Sequence, residues 1–209
     1  VPESDQFHHK PHADGACRAC HSPHGSESPA MLRGEKARVC ASCHLDLRPA
    51  LTASNLHSPF EDGECSACHG AHSAPEASGL LEPMGGLCFQ CHDDVVPEGE
   101  ESPHPPVAEG KCTSCHDAHA SEYEALSAGE PGEACFQCHE ELRLSDEDQG
   151  VHEPFADGEC ATCHLPHGSA DPGYPTEQIP DLCALCHDLA DEEFIGQHGG
   201  FDLSASGCL

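Results

Sequence analysis

The chain has 209 residues, with 38 Asp or Glu against eight Lys or Arg and a formal charge of −30, a field that repels nucleic acid and anionic lipid headgroups. Leu, Ile, Val and Phe supply 32 residues and there is no Trp. That share is about 15%, below the roughly 20% at which a highly charged chain is expected to be disordered. The polypeptide alone cannot bury enough apolar surface to offset its conformational entropy, so something other than side chains has to form the core.

The chain opens on Val1-Pro-Glu-Ser-Asp5, without the basic and apolar regions of a signal peptide. It reads as the mature end of an exported chain. No run approaches the roughly 18 apolar residues of a transmembrane helix, so no transmembrane segment is expected.

The first motif is Cys17-Arg-Ala-Cys20-His21. Seven more Cys-x-x-Cys-His units begin at Cys40, Cys65, Cys88, Cys112, Cys135, Cys160 and Cys183. Two thiols three positions apart, followed at once by an imidazole, suit covalent attachment of c-type haem. The thiols Cys17, Cys20, Cys40, Cys43, Cys65, Cys68, Cys88, Cys91, Cys112, Cys115, Cys135, Cys138, Cys160, Cys163, Cys183 and Cys186 would add to porphyrin vinyl groups. The histidines His21, His44, His69, His92, His116, His139, His164 and His187 would each take one axial position on iron. Zinc and thiol–disulfide sites also use Cys-x-x-Cys, but neither needs a histidine after every second cysteine. Eight haems are the expected cofactors, and they supply the missing core.

Successive motifs start 23, 25, 23, 24, 23, 25 and 23 residues apart. The alternation marks a module of about 48 residues carrying two haems, repeated four times. The odd motifs share one frame: HKPHADGACRACHSPH, HSPFEDGECSACHGAH, HPPVAEGKCTSCHDAH and HEPFADGECATCHLPH. Each has His-x-Pro, a Gly two before the first Cys, and a His three after the motif His. The even motifs, VCASCHLDL, LCFQCHDDV, ACFQCHEEL and LCALCHDLA, have no second histidine nearby. A short helix is expected through each, continued by the following Asp, Glu and Leu. Linkers such as PEGEESPHPP and DPGYPTEQIP read as irregular turns. The fold class is mostly coil with short α-helices around haems and little or no β-sheet. The modules are 1–50, 51–97, 98–144 and 145–190, with a tail 191–209, in a single continuous haem array.

Eleven histidines lie outside the motifs. Eight recur at fixed places: His9, His57, His104 and His152 before the odd motifs, and His24, His72, His119 and His167 after them. Their number equals that of the haems, which points to a second imidazole on every iron; His8 and His12 are read as surface residues. A histidine three residues after the proximal one cannot reach round its own ring. The later four are therefore expected on a neighbouring haem, most simply the even haem of the same module. The earlier four have enough chain to reach their own haem or another.

In the tail, His198-Gly-Gly-Phe201 resembles a module opening and Cys208 the first thiol of a ninth motif. The alternatives are a continuing chain, a decayed capping repeat, and a free or disulfide-bonded Cys208. His198 is a spare or a ligand for a neighbouring subunit. The acids read as a solvated face or an adaptation to salt, with calcium a further candidate ligand because basic partners are few.

CxxCHxxH alternating with plain CxxCH, over about residues 8 to 190, resembles the doubled-CxxCH family of multihaem c-type cytochromes. The resemblance implies close-packed bis-histidine haems that carry electrons in the periplasm, through outer-membrane barrels or along extracellular filaments. Electron transfer is expected rather than enzymatic reduction, since a reductase needs an open iron and every motif here ends in His. The expected setting is extracellular or cell-surface, with a periplasmic shuttle or porin-housed conduit as the alternative. The expected partners are other copies end to end, in a filament, or redox cytochromes.

Overall fold

The computed structural model describes residues 7–95, 103–130, 132–145, 148–197 and 199–200. The readings of Val1–Asp5, His198 and Cys208 fall outside them. Two compact units are present, Val1–Asp93 with Pro106–Leu142, and Asp94–Pro105 with Arg143–Leu209.

The shared frame of the odd motifs becomes a single helical turn with a defined start and stop. His9 and His57 are extended N-caps, and Pro sits at the start of the helices Lys10–Ala13 and Ser58–Glu61. Pro is tolerated there because its absent N–H would have no partner. The invariant glycine then takes positive φ, 70° at Gly15 and 71° at Gly63, which stops the helix. The following N–H bonds back to the proline carbonyl, from Ala16 to Pro11 and from Glu64 to Pro59, both at 2.8 Å. His152, Pro154, Gly158 and Glu159 repeat the arrangement in the second unit.

Helices do start in the even motifs, at Lys36–Ala41, Met84–Phe89, Glu133–Phe136 and Asp181–Ala184. They end before the second cysteine of each motif instead of running on through the acidic residues. No helix among the described residues exceeds six residues, and none is long and apolar enough to cross a membrane.

The two small sheets were not legible in the repeat pattern. Strand β1 (Phe7–His8) pairs antiparallel with β3 (Ser73–Ala74), and β2 (Asn55–Leu56) with β4 (Ala120–Ser121). The opening of one repeat thus lies on the edge of the next repeat, beyond its odd motif. In the second unit Pro103 bridges Gly168 in the same register.

Among the described residues the buried hydrophobic side chains are Ala74 and Ala120, both in these strands, and no large side chain is fully buried. Met31, Leu45, Leu51, Leu142 and Leu185 are exposed. The described residues form no hydrophobic core of their own. Repeats pack instead through backbone contact. Gly63 meets Ala37 in the preceding even-motif helix, and Gly110 meets Gly85.

A methyl at Gly110 would lie 2.8 Å from the Gly85 Cα, at a φ of +67°. Gly110→Ala should therefore destabilise the haem-loaded protein by roughly 2 kcal/mol. Gly15→Ala shares the positive φ but has nothing within 4 Å, and should cost about half as much. Thermal unfolding followed at a haem absorbance band would read both. Equal losses would mean that the Gly85–Gly110 contact contributes nothing.

Candidate haem-binding site

All eight motifs are closed by one main-chain bond. The His N–H donates to the carbonyl of the first Cys: His21 to Cys17 (2.9 Å), His44 to Cys40 (3.1 Å), His69 to Cys65 (3.0 Å) and His92 to Cys88 (3.0 Å). His116, His139, His164 and His187 do the same at 2.9 to 3.1 Å. A single helical turn brings residues i, i+3 and i+4 to one side, so two thiols and an imidazole face one body. No disulfide joins the motif cysteines, so all sixteen are left for thioether bonds.

After each odd motif the chain doubles back. Arg33, Leu81, Ala128 and Thr176 donate to the second cysteine's carbonyl, and the turn between has two successive residues at positive φ in Ala30–Met31, Ser78–Gly79, Ala125–Leu126 and Gly173–Tyr174. The turn carbonyl is aimed at the motif imidazole. Nδ1 of His21, His69, His116 and His164 lies 2.9, 3.2, 2.9 and 2.7 Å from the carbonyls of Ala30, Ser78, Ala125 and Gly173. A carbonyl only accepts, so Nδ1 carries the proton and Nε2 keeps a lone pair for metal. These carbonyls escaped the sequence reading. Their one signal is a small residue, Ala, Ser, Ala or Gly, nine positions after each odd motif histidine.

The histidines before the odd motifs are held the same way. Nδ1 of His9, His57 and His104 lies 2.9, 2.9 and 3.0 Å from the carbonyls of Ala71, Ala118 and Pro166. Their backbone N–H groups donate to His72, His119 and His167. Each is thereby locked to the next repeat.

Five pairs of imidazoles result, each joining a motif histidine to one outside the motifs. His9 faces His44 with ring centroids 6.0 Å apart, His57 faces His92 at 6.0 Å, and His152 faces His187 at 5.9 Å. His72 faces His21 at 5.9 Å, and His119 faces His69 at 6.1 Å. Two trans imidazoles bonded at about 2 Å, with about 1 Å from nitrogen to ring centre, have centroids about 6 Å apart. The pairs fit an iron between them. A metal without a macrocycle would need more protein donors, but among the described residues no group of three or more His, Cys, Asp or Glu could hold an ion. Two imidazoles suit an iron whose other four positions come from a porphyrin. Calcium gains no site from the described residues.

The partners differ from one sequence expectation. His72 was expected on the even motif of its own module, at His92; the structure sets it against His21 of the preceding module, and His119 against His69. The cause is the strand pairing, which carries each odd edge back to the preceding repeat. His12, read as a surface residue, has its ring 4.7 Å from that of His72. Burial, and then the neighbouring His12, His21 and His9, hold His72 below the usual histidine range; burial does the same for His119. Both stay neutral at pH 7, the form that binds metal. His104, His116, His139 and His167 keep the register of the other repeats in sequence. His24 and His164 face no ring among the described contacts.

Thiols of successive motifs adjoin. Burial and the neighbouring Cys65 thiol push Cys40 up to about 11, and burial with Cys112 does the same to Cys88. Cys20 neighbours Cys40, Cys68 neighbours Cys91, and Cys115 neighbours Cys138. Attachment points consecutive in sequence are consecutive in space through the first unit.

The family described as Doubled CXXCH motif matches residues 9–49, 57–97, 104–144 and 152–192. The chain belongs to this family. It is a multihaem c-type cytochrome, and its motifs imply covalently bound haem c at about eight sites. No curated protein matches the chain at a significant level.

Proline cannot adopt the φ of 52° found at Ala125. Ala125→Pro should open the turn, remove the carbonyl from His116 Nδ1 and cost the loaded cytochrome about 3 kcal/mol. Thermal unfolding gives the cost, and redox titration should show one haem displaced to higher potential as its histidine becomes a poorer donor. An unchanged titration would detach the turn from the haem.

Proposed function

We propose that this cytochrome carries electrons over long range through eight haems attached at the eight motifs, each held between two imidazoles. The observation that carries the reading is the set of five motif–nonmotif imidazole pairs with centroids 5.9 to 6.1 Å apart. With both axial positions taken by protein, an iron exchanges electrons and binds no substrate. Two imidazoles, with no thioether, favour a low potential. The adjoining thiols of consecutive motifs support transfer in sequence order from haem to haem.

The assigned roles are as follows in the repeat. The histidine before an odd motif serves the even haem of its own module, as His9 with His44. The histidine after an odd motif serves the odd haem of the preceding module, as His72 with His21. A reductase reading is weaker, because it requires an open iron where these pairs leave none. Haem c attachment belongs to the exported state, so the proposed setting is extracellular or periplasmic, with other redox cytochromes as donors and acceptors.

Intact mass should show eight haems per chain, and electron paramagnetic resonance should show low-spin bis-imidazole signals. His57→Ala should convert one haem in eight, that at His92, to a high-spin form that binds carbon monoxide. Retention of all low-spin haems in His57→Ala would overturn the ligand assignment, and a mass without haem adducts would overturn the cofactor.

A further inference from the structure

Two odd-motif sites lie wholly within the first unit, His21 with His72 and His69 with His119. Their main-chain frames match, but their charged surroundings differ. The residue directly after the odd motif histidine is Ser22, Gly70, Asp117 or Leu165 in the four repeats, and Asp117 alone brings a charge there. Asp117 Oδ1 accepts the main-chain N–H of His119 at 2.8 Å and that of Ala120 at 3.2 Å. The carboxylate is thereby fixed to the backbone of the ligand itself. His72 receives no such group from the matching position. Gly70 has no side chain, and a Cβ on it would run into the Ser73 carbonyl.

The charge contrast extends beyond this position. Residues 9–49 hold four acids against six Lys or Arg, whereas residues 57–97 hold seven acids and no Lys or Arg. Burial lowers His119, while the Asp117 and Asp46 carboxylates pull the other way. Burial lowers His72 too, and the rings of His12, His21 and His9 act in the same direction, with no carboxylate opposing them among the described residues. The rings packed on the two ligands also differ, Phe60 on His119 at 5.1 Å and His12 on His72 at 4.7 Å. An apolar cover favours the less charged ferrous state and so works against Asp117. A full charge fixed at the ligand's main chain outweighs it, since an ion acts over a longer range than the polarity of one ring.

We propose that Asp117 is a positioning residue for the ligand His119 whose charge holds the haem between His69 and His119 at a lower reduction potential than the haem between His21 and His72. This rests on the imidazole-pair reading above. The ferric state carries one positive charge more than the ferrous state, so a fixed carboxylate beside the ligand stabilises the ferric state and opposes uptake of the electron. The bonds from His119 and Ala120 hold the carboxylate in one place. Gly70 leaves the His72 side without that charge, and the first repeat adds more cations than anions around it. The ordering makes the first repeat the electron-accepting side of the pair.

The test is a spectroelectrochemical redox titration of the full-length haem-loaded protein. Asp117→Asn keeps an Oδ1 acceptor for both N–H groups and removes only the charge. It should move one haem to higher potential, changing its reduction equilibrium by a factor of about three to ten, where tenfold is about 59 mV for one electron. Asp117→Gly also removes the hydrogen bonds; a shift seen with Gly and not with Asn would reduce Asp117 to a structural role and overturn the proposal. His119→Ala should open the haem at His69 to a high-spin form that carbon monoxide locks in the ferrous state, and with that haem locked Asp117→Asn should move no other. His72→Ala, locked in the same way, should remove a component of higher potential than the one His119→Ala removes. If His119→Ala opens no haem, the imidazole-pair reading itself fails. If it opens one while Asp117→Asn leaves the titration unchanged, or while the two removed components fall in the reverse order, the pairs stand and the role of Asp117 fails.

Discussion

The antiparallel contact between the opening of one repeat and the far edge of the next is the constraint on which the rest depends. It is only two residues long, yet it sets three things at once. It buries Ala74 and Ala120, the hydrophobic side chains the described chain does bury. It delivers main-chain carbonyls to Nδ1 of His9 and His57, which selects the tautomer with a free Nε2. It also carries His72 and His119 back over the preceding odd motif. Shifting such a pairing by one residue would turn every side chain to the opposite face, and the imidazoles would no longer meet in pairs about 6 Å apart.

A chain with so little apolar surface gains its order from the prosthetic groups and from main-chain bonds. Proline and glycine set the first turn of each odd motif, and the His N–H to Cys carbonyl bond closes all eight motifs. The left-handed residues Ala30, Ser78 and Ala125 hold a conformation that costs about 1 kcal/mol or more each. That strain sits where the carbonyl must point at a ligand imidazole. The acidic surface contributes little by way of ion pairs, since those formed by Lys10, Lys36 and Lys111 are exposed and exposed pairs are weak.

Nearly all of the site's chemistry was legible as residue types and spacings. Cys-x-x-Cys-His names its own ligands because the chemistry is local: five consecutive residues span one turn. The eight motifs, their pairing into four doubled units and the eight extra histidines follow from a period that survives in the sequence. The partner of each extra histidine was not legible. His72 is closer in sequence to His92 than to His21, yet its ring lies against that of His21. The nine-residue link from His21 to the Ala30 carbonyl was equally hidden, because a carbonyl is offered by every residue and only the turn aims it.

The sequence alone determined the cofactor class, the number of attachment motifs, the four-fold repeat and the mostly coil fold with short helices. These depend on covalent chemistry and on local turns, both written in short windows. Tertiary structure alone decided which imidazoles face each other and which thiols adjoin. Those choices rest on backbone pairing between residues some 65 positions apart, as Phe7 with Ala74 and Asn55 with Ser121, and main-chain hydrogen bonds carry no side-chain signature from which such a register could be read.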